Sequence, residues 1–172
     1  MGLFRDRGDG ESTRRKYQMR EKLMSIGDDY WIDDDSGNKA FKVDGKAARV
    51  RDTWILEDDQ GNEVAQIREK KLSIRDAIKI EFDGRDATVK KAMVGIRDRF
   101  HVEVDNGKDL SVHGNIADHE YKIERDGDEI AEISNKWFRV RETYGVDVAD
   151  GEDTVLVLAV TVAVDALSRG LG

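Results

Sequence analysis

A chain of 172 residues with 37 acidic and 29 basic side chains carries a formal net charge of -8, which argues against general binding to nucleic-acid phosphates. Its length is that of one domain, long enough to bury a full core. It has no cysteine, which excludes disulfides and thiolate metal sites and suits a cytoplasmic protein.

Residues 1–16, MGLFRDRGDGESTRRK, read as a flexible polar tail. They hold no apolar stretch of signal-peptide length, and Asp6 stands where a myristoylation signal wants Ser or Thr. Beyond them the chain repeats itself. The segments WIDDDSGNKAFKV (31–43), ILEDDQGNEVAQI (55–67) and YKIERDGDEIAEI (121–133) align on Gly37, Gly61 and Gly127. After each turn, Phe41, Ala65 or Ala131 and then Val43, Ile67 or Ile133 flank a polar Lys42, Gln66 or Glu132. Alternation of period two is a strand with one face buried and one wet, entered from a turn that needs a positive φ. Two further turns, FDGRD at Gly84 and VDNGKD at Gly107, keep the rhythm at spacings of 24, 23, 23 and 20 residues, about two strands per unit. Hairpins in series, with no proline anywhere in the chain, predict a meander that closes on itself and so removes its exposed edges.

The C-terminal stretch TVLVLAVTVAVDAL (154–167) is apolar on every face apart from Asp165. Its valines favour a strand. The acids Asp150, Glu152 and Asp153 before it, and Arg169 and Gly170 after it, are instead the charge order and stop signal of a helix. As a helix it would be about 21 Å long, short of the roughly 20 apolar residues that span a bilayer. A helix apolar all round must be surrounded, and strands of about six residues are roughly 20 Å long, so it would fill a barrel along its axis. Asp165 is expected at the mouth of that barrel, within reach of Arg169 one turn on.

The segments REKLMSIGDDYWIDDDSGNKAFKVDGKA, EKKLSIRDAIKIEF and ETYGVDVADGEDTVLVLAVTVAVDAL, in that order and spacing, closely resemble the LURP-one-related family, a branch of the tubby-like superfamily with the phospholipid scramblases. The likeness runs from about Tyr17 to Arg169. It implies a mainly β domain over 17–172: a closed antiparallel barrel of about twelve strands enclosing a hydrophobic C-terminal helix, at about 152–168. Tubby-like domains bind phosphoinositide headgroups through basic residues, scramblases act on membrane lipids, and plant LURP-one-related proteins take part in pathogen defence. No tubby-type phosphoinositide motif can be carried onto this chain. The proline-rich extension and cysteine cluster of scramblases are also missing.

The chemistry-bearing residues are sparse. In DDDSGN the turn puts Asn38 where a calcium loop needs glycine, and Asp44 where it needs a bidentate Glu, so a solvated hairpin turn is expected. His101, His113 and His119 lack zinc-ligand spacing and read as ordinary strand or loop residues. No nucleophile elbow or glycine-rich phosphate loop is present, so neither an enzyme nor a cofactor is expected. The candidate site is basic: Lys70, Lys71 and Arg75 in REKKLSIRD, and Lys90, Lys91, Arg97 and Arg99 in VKKAMVGIRDRF. On neighbouring hairpins these could converge on a headgroup or phosphate, with Arg bidentate and Lys a point charge. The same residues also read as a solvated face paired with nearby carboxylates. The cations of STRRKYQ (12–18) are a further candidate for attraction to an anionic membrane. Mainly through the family resemblance, the expectation is a non-enzymatic binding module, cytoplasmic or peripheral to a membrane, whose partner is an anionic phospholipid headgroup, another anionic ligand or a protein. A scramblase-like activity on phospholipids is the alternative.

Overall fold

The computed structural model describes residues 14–20, 29–45, 53–71, 76–92, 99–137 and 143–168. Twelve strands run β1 (Arg15–Arg20), β2 (Tyr30–Asp34), β3 (Lys39–Asp44), β4 (Thr53–Asp58), β5 (Glu63–Lys71), β6 (Asp76–Phe82), β7 (Arg85–Lys91), β8 (Arg99–Val104), β9 (Leu110–Asn115), β10 (Glu120–Arg125), β11 (Asp128–Ser134) and β12 (Thr143–Val148). Each pairs antiparallel with its chain neighbours, and β1 pairs with β12 over six residues, Arg15 opposite Val148 to Arg20 opposite Thr143, which closes the barrel. Residues 15 and 16, assigned to the N-terminal tail on sequence grounds, are therefore already ladder residues.

The predicted alternation sets which side chains face inward. Val43, Ile67 and Ile133 are fully buried, whereas Lys42, Gln66 and Glu132 are only half-buried. The three aligned hairpins share a second feature: each slips register just before its turn, at Ile32/Asp33, Leu56/Glu57 and Ile123/Glu124. A bulge there tightens the strand twist into the loop. In the first two turns Asp34 and Asp58 close the loop themselves. Asp34 Oδ1 accepts from the Ser36 and Asn38 amides at 2.9 and 2.8 Å, and Asp58 Oδ1 accepts from those of Gln60 and Asn62 at 2.9 and 2.8 Å. These carboxylates are spent on backbone donors, as Asp does in tight turns. At the fourth turn the left-handed residue is Asn106, with φ 55°, not the neighbouring Gly107. Asn tolerates that region through its short polar side chain.

Helix α1 (Thr154–Ser168) is the filling. At about 22 Å it matches strands of about 20 Å. Leu156 to Leu167 are all buried and only Val155 and Ser168 at its ends are more exposed, so an all-apolar helix has apolar neighbours all round. The predicted start signal operates: Asp153 Oδ1 accepts from the Leu156 amide at 3.2 Å, and the Asp153 carbonyl accepts the first helical bond from Val157 at 3.1 Å. No described helix is long and apolar enough to cross a membrane.

Candidate functional site

The antiparallel order fixes one end of the barrel as the place where odd strands finish, even strands begin and α1 finishes. The basic segments lie there. Lys70 stands opposite Ala77, Ala77 opposite Lys90, and Lys90 opposite His101, a row across β5, β6, β7 and β8 on the outer face. Two strand spacings separate Lys70 from Lys90, about 10 Å, with Ala77, itself fully buried, between them. Arg99 shares this face, opposite His113 on β9. Lys71 and Lys91 have the other parity, opposite Asp76 and Phe100, so successive lysines divide between the two faces of the sheet. Arg75, Arg97 and the Lys71 side chain lie outside the described residues. Lys70, Lys71, Lys90, Lys91 and Arg99 therefore share one end and one group of strands, with Lys70, Lys90 and Arg99 on a common outer face.

Their charges are unevenly neutralised. Lys90 Nζ reaches Glu103 at 3.3 Å on the exposed face, whereas neither Lys70 nor Arg99 has an ion-pair partner among the described residues. The cations of STRRKYQ are committed to the barrel. Arg14 meets Glu129 at 3.1 Å and Asp147 at 3.0 Å, Arg15 donates to the Glu152 carbonyl at 2.7 Å, and Lys16 lies 5.4 Å from the Trp137 ring. Against the penalty of partial burial, Asp147 and Glu129 hold the Arg14 pKa above its ordinary range.

The opposite end of the same outer face is acidic. An open cleft of about 370 Å³ there is lined by Glu63, Gln66, Glu81, Phe82, Arg85 and Asp86. Arg85 is 4.8 Å from the Phe82 ring and 3.5 Å from Asp153. Lys79 is held by Glu81 at 3.1 Å and Asp86 at 3.3 Å, and hydrogen bonds to these two carboxylates raise its pKa.

Inside the basic end the structure corrects the placement of Asp165. It is not at the mouth: it is only 4 % exposed and lies 3.4 Å from Nε2 of His119, itself 8 % exposed. A buried carboxylate needs a partner, and the turn before β10 supplies one. His119 takes a left-handed φ of 52° and stacks on Tyr144 with ring centroids 4.2 Å apart. Burial first, then the Asp165 charge, pushes the hydroxyls of Tyr30 and Tyr121 far above the ordinary phenol range, with a Thr161 hydrogen bond opposing the shift at Tyr121. The Tyr30 hydroxyl has no hydrogen-bond partner among the described residues. Next to this cluster β9 and β10 approach closely at Gly114, where a Cβ would stand 2.6 Å from the Glu120 carbonyl oxygen. Sequence spacing gave no hint of the 46-residue link between His119 and Asp165. The one available signal was that Asp165 is the single charge in the apolar run.

His101 and His113 were likewise unremarkable in sequence. The ladder sets them opposite Lys90 and Arg99, each beside a carboxylate: Asp109 at 3.2 Å from His101, and Glu124 at 2.9 Å from His113.

A closed antiparallel barrel around a buried hydrophobic helix defines the class. The LURP-one-related family model matches residues 15–165, and the chain belongs to that family. Among solved structures it is similar to the X-ray structure of a protein from Arabidopsis thaliana, with 17 % sequence identity, a TM-score of 0.63, and coverage of 91 % of this chain and 92 % of that one. At that identity the likeness concerns the fold. No curated protein matches the chain.

Proposed function

We propose that the protein is a non-enzymatic binding module that holds anionic phospholipid headgroups on the outer face of β5 to β8, and so works peripherally at a membrane on the cytoplasmic side. The observation that carries this reading is the row Lys70, Ala77, Lys90: two cations about 10 Å apart across an alanine, with Arg99 on the same face. Each cation near an anionic surface contributes about 1 kcal/mol, so the attachment is weak, additive and sensitive to salt. The overall charge of -8 opposes approach from other directions and orients the protein with this face toward the lipid.

A scramblase-like role would require α1 to leave the barrel. Thirteen of its fifteen residues are buried, and each uncovered Val or Leu costs about 1.5 to 3 kcal/mol, which a few side chains would bring to the stability of a whole domain.

Co-sedimentation with phosphatidylcholine vesicles, with and without phosphatidylserine or phosphoinositide, separates these readings. Salt-sensitive binding to anionic vesicles, reduced at least tenfold when Lys70, Lys90, Lys91 and Arg99 are changed to alanine, is expected at about 1 kcal/mol per cation. Binding that survives both salt and the substitutions would replace the headgroup reading with apolar insertion. Absence of binding to every vesicle would overturn both and leave a protein partner as the ligand.

A further inference from the structure

We infer that the lipid-facing surface is gated by acid through His101 and His113, which makes the protein a binder of anionic membranes that engages more strongly as the pH falls. The inference rests on the membrane reading above and adds its regulation. Three observations carry it. The ladder sets His101 directly opposite Lys90 and His113 directly opposite Arg99, both pairs on the outer face. Directly opposed residues are about 5 Å apart, so each imidazole belongs to the same charged surface as its cation. Both side chains are open to solvent, at 48 % and 40 %, and so can gain a proton without unfolding.

The surroundings decide the sign. His101 on β8 faces Lys90 from β7, Ser111 from β9 and Asp109 from the loop before β9, with Arg99 and Glu103 on its own strand. His113 on β9 faces Arg99 from β8, and Lys122 and Glu124 from β10. Imidazole is the side-chain type that ordinarily changes charge between pH 5 and 8, whereas exposed carboxylates stay ionised there. Over that interval the surface gains up to two positive charges and loses none. Beside neutral rings, Asp109 and Glu124 are uncompensated and repel an anionic lipid. Once the rings are protonated, each carboxylate is matched by a neighbouring cation, and Lys90 and Arg99 act with less local opposition. His119, the third histidine, is enclosed with Asp165 and does not face this surface.

The test measures partitioning onto phosphatidylcholine vesicles with and without phosphatidylserine near pH 8 and near pH 5.5 at low salt, for the unmodified protein and for the double variant His101→Gln, His113→Gln. Circular dichroism at both pH values checks that each protein stays folded. At about 1 kcal/mol per charge, partitioning onto the anionic vesicles should rise about fivefold for each imidazole, or roughly twenty-five-fold for both, on acidification. The double variant should match the unmodified protein near pH 8 and lose the acid gain. Equal binding at the two pH values would overturn the gate and leave the membrane reading standing, as would an acid gain that persists in the double variant. Absence of binding to anionic vesicles at both pH values would overturn the membrane reading and the gate with it.

Discussion

Where α1 begins, the chain uses charges within reach of water: Asp153 caps the helix, Arg125 forks onto Glu152 at 2.9 and 2.8 Å, and Arg85 approaches Asp153 at 3.5 Å. Where α1 ends, the polar groups are enclosed: Asp165, His119, Tyr144, Tyr30 and Tyr121 are all at most 9 % exposed. The difference is one of dielectric. An ion pair open to water is worth at most about 1 kcal/mol, because solvent competes for both partners. A buried pair adds little net stability, yet removing one member strands the other at a cost of several kcal/mol. The two ends therefore hold the same helix with similar chemistry and should respond very differently to mutation.

The largest expected effect is at the enclosed end. Asp165→Leu should cost about 4 kcal/mol, seen in a thermal melt as a fall of about 10 °C, because His119 loses its acceptor at a buried site. Adding His119→Leu should restore part of that loss, since an apolar pair of similar volume leaves nothing unsatisfied. A single variant as stable as the parent would mean that Asp165 is not enclosed. At the open end, Asp153→Ala should cost about 1 kcal/mol, the ordinary worth of an N-cap, measured by urea denaturation. A loss there as large as for Asp165→Leu would erase the contrast between the ends.

The smallest effect concerns acid, and it comes from the surface. Asp34 is held below its ordinary 3.8 chiefly by the Asn38 amide, and Asp58 below the same value chiefly by the Asn62 side chain. Glu129 is held below its ordinary 4.5 chiefly by its hydrogen bond with Lys122, with help from Arg14. A carboxylate whose folded pKa is depressed stabilises the protein fully above its unfolded pKa and loses that contribution as the pH falls through the folded one. Urea midpoints should thus be flat down to about pH 4.5 and decline below it, less steeply in a Glu129→Gln variant. A midpoint that rises on acidification below that point would contradict the assignment.

Much of this architecture was legible along the chain. The period-two pattern after Gly37, Gly61 and Gly127 marks the inward residues, because successive side chains of a strand must point to opposite faces. The same rule places Lys70 and Lys71, and Lys90 and Lys91, on opposite faces of their strands, a parity that the expectation of one converging pocket left out of account. The helix was legible from its charge order and length, and its burial from the absence of a polar face. Asp165 was misplaced because a one-dimensional pattern shows that a charge interrupts an apolar run, not which distant group meets it.

Local sequence by itself determined the hairpins, their turns, the direction in which each strand side chain points, and the helix with its cap. Those follow from backbone sterics and from hydrogen bonds between residues a few positions apart. Only the tertiary structure decided that β1 closes on β12, that Lys70 and Lys90 flank Ala77 while Lys90 and Arg99 face His101 and His113, and that His119 meets Asp165 inside the barrel. Those contacts join residues far apart in the chain, and strand pairing and helix burial bring them together only once the whole core has closed.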